Sequence, residues 1–189
     1  AHGWVNLYSA IARSSDVYFY AVGGGFEKQV GLGIARIRQY WQKFFLDKMT
    51  EIDLPGEAIG FLPDPEWKEK RTGQIWRVGD TYNISIGQGD LVVTPIALLR
   101  HIAGIATRGK LPKLSVMKEI KDNDGTVVMR SEPSFDTIET KDPYNYIEVE
   151  NGMLQTTEKD YGTAYMLKGL LFRTAAKTGS AQIQNNTKE

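Results

Sequence analysis

Four consecutive residues, Lys177-Thr178-Gly179-Ser180, set a cation, two hydroxyls and a residue without a side chain next to one another. Such a set suits the capture of a peptide carboxylate. Lys177 supplies positive charge, Thr178 and Ser180 supply hydrogen-bond donors, and Gly179 lets a substrate backbone approach the chain closely. The same tripeptide also arises wherever a strand runs into a turn. A second candidate is Ser14-Ser15-Asp16, where a hydroxyl and a carboxylate two residues apart are able to face one cleft, although Ser and Asp also cap helices. For both to serve one reaction, Ser14 and Lys177 must meet across most of the chain, because catalytic groups need near hydrogen-bond reach of a shared substrate.

The elements that position them follow from spacing. Leu7, Tyr8, Ile11 and Ala12 recur at helical intervals before Ser14-Ser15-Asp16 interrupts and the cluster Tyr18-Phe19-Tyr20 follows, so two helices meeting at a polar corner are expected between Val5 and Val22. A further helix from Ile34 to Leu46 carries Ile34, Ile37, Tyr40, Trp41 and Phe44 on a face expected to pack into the core. The stretch Ile52 to Gln74, rich in Pro and Gly and without a sustained period, reads as a long surface excursion. Thr94-Pro95 opens a strong helix with apolar Ile96, Leu99, Ile102, Ala103 and Ala106, stopped by Gly109. Asp122-Asn123-Asp124-Gly125 predicts a hairpin within Leu114 to Met129; a helix is expected beyond Pro143, and a strand from Phe172 to Ile183.

Bulk properties exclude several classes of function. Of 189 residues, 41% are hydrophobic and 24% charged, as in ordinary folded domains. Lys plus Arg and Asp plus Glu number 23 each, so no basic field draws the chain to nucleic acid. Cysteine is absent, which removes disulfides and thiolate metal sites, and the two histidines, His2 and His101, lack a clustered carboxylate set, so no metal is expected. Gly23-Gly24-Gly25 and Gly31-Leu32-Gly33 lack the frame and lysine of a phosphate loop. No apolar run approaches the ~20 residues that span a bilayer.

In chain order, the Ser-x-Asp and Lys-Thr-Gly motifs match the second and third of a three-part set, Ser-x-x-Lys, Ser-Asp-Asn and Lys-Thr-Gly, shared by penicillin-binding proteins and related β-lactamases. Between them, Ser85-Ile86-Gly87-Gln88-Gly89-Asp90-Leu91-Val92-Val93-Thr94-Pro95 resembles the Gly-Gln-Gly and Thr-Pro stretch of class B penicillin-binding transpeptidases. The contexts Ala10 to Tyr20 and Ile52-Asp53-Leu54-Pro55-Gly56-Glu57 resemble the same family, so the likeness covers nearly the whole chain. Ser-x-Asp in place of the commoner Ser-x-Asn is similar to the elongation-specific penicillin-binding protein 2 branch.

That resemblance implies an α/β, penicillin-recognising fold, with a sheet flanked by helices plus an all-helical lobe, incomplete here at both ends. Residues 1–108 would form most of the helical lobe and 109–189 the hairpin, a helix and the Lys-Thr-Gly strand. It implies a D,D-transpeptidase that crosslinks peptidoglycan stem peptides through a serine acyl-enzyme, without a cofactor. Ser14 would relay a proton between a catalytic lysine and the leaving amine, and Asp16 would orient that lysine and bond the substrate amide. Lys177 would steady the relay, Thr178 and Ser180 would hold the terminal carboxylate beside Gly179, and the Ser180 N–H would form half of an oxyanion hole. The nucleophilic serine of Ser-x-x-Lys is expected upstream of Ala1, since only 13 residues precede Ser14. Ser115-Val116-Met117-Lys118 fits that pattern literally, but it follows the second motif and falls in an expected strand, where one-turn helical spacing is lost.

The implied partners are the stem peptide, β-lactam antibiotics, a RodA-type glycan polymerase and an MreC-type rod-shape scaffold. The implied location is the periplasmic face of the inner membrane, reached through an anchor outside this sequence. A serine β-lactamase or carboxypeptidase of the same fold, or a penicillin-sensing or partner-binding module without turnover, are the competing readings.

Overall fold

Asn6 opens the first helix by accepting the Ser9 N–H (2.9 Å), while the Ser9 hydroxyl oxygen accepts the Asn6 N–H (3.0 Å), a reciprocal pair that satisfies two of the orphan donors of a helix start. The computed structural model of the chain describes residues 2–180. Helix α1 (Leu7–Arg13) ends at Ser14 and α2 (Asp16–Gly24) begins two residues later. Then come α3 (Gly33–Lys43), α4 (Pro65–Thr72), α5 (Val78–Ser85) and α6 (Pro95–Ala106). The strands β1 (Lys110–Pro112), β2 (Glu119–Lys121), β3 (Val127–Arg130) and β4 (Phe135–Thr137) precede α7 (Tyr144–Glu158) and a 3₁₀ turn, Tyr165–Leu167.

The contacts divide the chain into two units, each assembled from separated segments. Of the described residues, 2–34, 65–90 and 148–180 make the first unit, and 35–64 with 91–147 make the second.

In the first unit α1 lies on α7. Ala10, Ile11 and Ala12 are buried, and Gly152 sits so close that a Cβ there would stand 2.7 Å from Ile11 Cδ1. The Tyr8 hydroxyl donates to Glu148, a second tie between the two helices. Helix α2 packs on α5: the Tyr20 and Tyr82 rings are 5.6 Å apart and the Tyr82 hydroxyl donates to the Gly25 carbonyl (2.8 Å). A Cβ on Gly24 would lie 2.2 Å from the Tyr82 ring, so only glycine leaves room for that ring where it stands.

The second unit gathers around α6. Thr94 accepts the Ala97 N–H (3.3 Å) and Pro95 occupies the first turn, as the Thr-Pro signal predicts. Arg100 is buried; its Nε donates to the Pro112 carbonyl (2.7 Å) and its Nη2 to Asp136 (2.5 Å), which ties α6 to both strands of the antiparallel β1–β4 ribbon. Leu111 is fully buried beside Gly104 of α6. Strands β2 and β3 pair antiparallel around the predicted turn, where Asp122 Oδ1 accepts the N–H groups of Asp124 (3.0 Å) and Thr126 (2.9 Å). Among the described residues the named strands form two separate two-stranded ribbons, and isolated antiparallel bridges join Phe26 to Gln29 and Phe61 to Val92.

Some sequence expectations need correction. The 52–74 excursion contains α4, whose residues PEWKEKRT bury nothing, so no apolar stripe betrays it; Pro65 at its start and a Glu66–Lys70 pair (2.5 Å) support it instead. Tyr40, expected in the core, is exposed on α3. The described part of the expected C-terminal strand, 172–180, pairs with no strand among the described residues, and residues 181–183 of it lie outside them. A strand is defined by its ladder, and here Ala176 N–H donates instead to the Met153 carbonyl on α7 (3.0 Å).

Candidate active site

The first unit builds the site from a helix corner and a chain segment laid along α7. Ser14 closes α1 in the left-handed conformation (φ 52°, ψ 56°), a placement that costs a residue with a Cβ about 1–2 kcal/mol. Ser15 makes no side-chain cap bond, and Asp16 stands in the first turn of α2, where the helix dipole favours a carboxylate. On the other side, the Thr157 hydroxyl donates to the Thr174 carbonyl (2.6 Å), the Arg173 guanidinium pairs with Glu158 (2.5 Å), and Ala176 is held by Met153. These three anchors deliver Lys177.

Lys177 Nζ donates to Ser14 Oγ at 2.8 Å, across 163 positions of sequence, and to the Thr178 carbonyl at 2.7 Å. Although Lys177 is exposed by area, crowding at its ammonium removes hydration and lowers its pKa below the ordinary lysine value, while the Asp16 carboxylate pulls it back up. The two hydroxyls of Thr178 and Thr163 stand 2.8 Å apart, and Gln88 Nε2 donates to the Ser180 carbonyl (3.2 Å). A cavity of about 370 Å³ is bordered by all six residues singled out in the sequence, Ser14, Asp16, Lys177, Thr178, Gly179 and Ser180. Ile86 and Gln88 complete its lining. No atom of the described residues lies within 4 Å of a Cβ built on Gly179, so among them its backbone faces open space.

Gln88 belongs to the Gly-Gln-Gly stretch that carries the family resemblance, and that stretch assigned it no place in a site. Thr163 had no signal at all, since one threonine in an irregular segment has neither period nor motif. A larger cavity of about 570 Å³ opens among 157–159 and 167–174, but it holds none of the motif residues and its Arg173 and Glu158 are committed to each other. Ser115 lies in the second unit, in a loop and not in the expected strand, with its hydroxyl on Asp53 Oδ2 (2.6 Å). His101, also in the second unit, is stacked on Phe44 with ring centres 4.4 Å apart.

The family model for the penicillin binding protein transpeptidase domain matches residues 1–189. This chain belongs to the penicillin-binding protein transpeptidase family. It is 31% identical over 186 residues to the peptidoglycan D,D-transpeptidase MrdA of Escherichia coli, a match that covers 96% of this chain and 28% of that protein. Among solved structures it is similar to Pseudomonas aeruginosa PBP2 in complex with WCK 5153, with 36% identity, a TM-score of 0.78, and coverage of 96% of this chain and 39% of that one. It is also similar to Helicobacter pylori PBP2 in its complex with MreC, at 32% identity and a TM-score of 0.76 over 94% of this chain and 30% of that one. The fold is thus that of the penicillin-binding transpeptidases, and the chain spans about a quarter of the length of the curated relatives it matches. Among the described residues no helix is long and apolar enough to cross a membrane.

Proposed function

We propose that the full-length protein is a serine-type peptidoglycan D,D-transpeptidase of cell-wall elongation, and that the first unit supplies its proton relay and carboxylate pocket. The observation that carries this reading is the Lys177 Nζ to Ser14 Oγ contact of 2.8 Å beside a cavity lined by Thr178 and Ser180. In the proposed cycle an upstream serine, paired with a lysine one helical turn away, attacks the penultimate D-Ala carbonyl of a stem peptide. The terminal D-Ala leaves as the free amine, and an amine from a neighbouring strand then takes the acyl group. Ser14 Oγ passes the proton between that lysine and the leaving amine. Lys177 beside it stabilises the oxygen whenever it carries negative charge. Asp16 orients the lysine and accepts the substrate amide N–H.

Thr178 and Ser180 hold the terminal carboxylate, and the Ser180 N–H donates to the oxyanion; loss of such a donor typically costs ~10²–10³ in rate. β-Lactams, which present a strained amide next to a carboxylate, fit the same cavity. The MreC complex of the similar PBP2 supports an MreC-type scaffold as a partner, and the family resemblance supports a RodA-type polymerase and a place on the periplasmic face of the inner membrane.

The test is to label the full-length protein with a fluorescent penicillin, map the adduct by mass spectrometry, and then supply a pentapeptide donor with an amine acceptor. The expected result is an adduct on a serine outside these 189 residues and crosslinked product with the acceptor. Hydrolysis alone would assign a carboxypeptidase or β-lactamase, and a permanent adduct with no peptide turnover would assign a sensor.

A further inference from the structure

Gly162-Thr163-Ala164 turns back over the end of α7. Ala164 N–H donates to the Thr156 carbonyl (3.0 Å), and Gly162 lies so close that a Cβ there would sit 2.3 Å from the same oxygen. This turn presses Thr163 against the end of α1. Its N–H donates to the Ala12 carbonyl (3.0 Å), two residues before Ser14, and its hydroxyl reaches that carbonyl at 3.3 Å. The same hydroxyl stands 2.8 Å from that of Thr178. Within the first unit, Thr163 thus bridges the Ser14 corner and the Lys-Thr-Gly segment.

A threonine hydroxyl carries one hydrogen and two lone pairs, so these contacts admit two arrangements. In the first, Thr163 gives its hydrogen to Ala12 and Thr178 gives its own to Thr163, which leaves Thr178 only lone pairs to offer the cavity. In the second, Thr163 donates to Thr178, and the Thr178 hydrogen is free to point at a ligand. The exchange gives up one long bond of 3.3 Å and orphans nothing, because the Ala12 carbonyl keeps the Thr163 N–H. A bound carboxylate is repelled by lone pairs and accepts hydrogens, so it selects the second arrangement.

We propose that Thr163 is a positioning residue: by donating to Thr178 it turns the Thr178 hydroxyl into a hydrogen-bond donor for the substrate's terminal carboxylate. The proposal rests on the transpeptidase reading of the cavity. Thr163 acts through Thr178, so its loss is felt by ligands that carry the carboxylate and not by ligands that lack it.

The experiment compares acylation of the full-length protein by benzylpenicillin and by its methyl ester, which lacks the anionic oxygen. Thr163→Val, nearly isosteric but without the hydroxyl, is expected to lower the acid-to-ester rate ratio about tenfold. The loss should come from weaker half-saturation and not from the limiting rate, with a parental melting temperature. Thr163→Ser should restore the ratio, and adding Thr163→Val to Thr178→Val should cost nothing further. Equal losses for acid and ester, or additive losses in the double variant, overturn the proposal. If Thr163→Val does not fold, Thr163→Ala is set beside Thr163→Ser, and equal ratios for those two overturn it as well. A parent protein that no penicillin acylates sinks the transpeptidase reading and this inference with it, whereas an acylated parent with an unchanged Thr163→Val ratio sinks the inference alone.

Discussion

Two serine hydroxyls in this chain each have a lysine to hand by one measure, and the two regions use them in opposite ways. Ser14 is 163 positions from Lys177, yet its oxygen accepts from that ammonium at 2.8 Å. Ser115 is three positions from Lys118, yet its hydroxyl donates to Asp53, whose carboxylate also collects the N–H groups of Val116 (2.7 Å) and Met117 (3.0 Å). The Ser115 bond, more than any other, holds the Asp53 pKa below the usual carboxylate range; the Val116 N–H adds to it, slight burial opposes it, and the Met117 N–H reinforces it. One hydroxyl is a partner of a poorly hydrated cation beside a cavity. The other is a fastener in a loop. Spacing of three residues joins side chains only on a helix, whereas a helix corner and a segment anchored along α7 join them across any distance.

The largest effect that tests this contrast is Lys177→Ala in the full-length protein. Penicillin acylation should fall by ~10²–10³, the scale of losing an electrostatic stabiliser in a partly desolvated site. Stability should shift by only ~0.5 kcal/mol, since the side chain adds little to the core. Acylation rate beside melting temperature decides it: parental acylation would reduce Lys177 to a surface residue, and joint collapse would make it structural.

Next in size is Asp16→Asn. The Asp16 carboxylate raises a Lys177 pKa that desolvation lowers, so removing its charge should lower that pKa further and move the alkaline limb of the acylation profile to lower pH. Since the folded chain disfavours protonated Lys177, it binds fewer protons there than the unfolded chain, and stability should rise as pH climbs towards the ordinary 10.5. A limb that stays in place would separate Asp16 from the lysine.

A smaller effect belongs to the second unit. His101 is packed on Phe44 with its Nδ1 buried and without a hydrogen-bond partner among the described residues, and burial lowers its pKa from the ordinary 6.5. The unfolded chain therefore takes up the proton first, so stability is full above pH 6.5 and declines as pH falls below it. Urea midpoints between pH 7.5 and pH 5.5, on the order of one unit either side of that value, should show the decline. His101→Leu should flatten it, and a slope surviving that substitution would place the titration elsewhere.

The smallest expected effect is Ser115→Ala. Acylation should remain parental, stability should stay within ~0.5 kcal/mol, and no penicillin adduct should be found on Ser115 by mass spectrometry. An adduct there would erase the distinction between the two hydroxyls.

The parts of the fold legible in advance are those written in local chemistry. Thr94-Pro95 announced α6, Asp122 to Gly125 announced the β2–β3 turn, and Ser14-Ser15-Asp16 marked the corner between α1 and α2. Helix α4 escaped because Trp67 is its one large apolar residue and makes no stripe, α5 because VGDTYNIS has no apolar period, and the β1–β4 ribbon because strands of three residues are too short to alternate visibly.

By itself, then, the sequence determined which residue types were available for chemistry, the order of the motifs and the family they indicate, because residue identity and short-range spacing need no folding to be read. Only the tertiary structure decided that Lys177 meets Ser14, that Gln88 and Thr163 join them, and that the Lys-Thr-Gly segment is held by α7 among the described residues. Those contacts depend on directed hydrogen bonds between segments far apart in the chain, and a hydroxyl or amide carries no mark in the sequence of the partner it will find once the helices have packed.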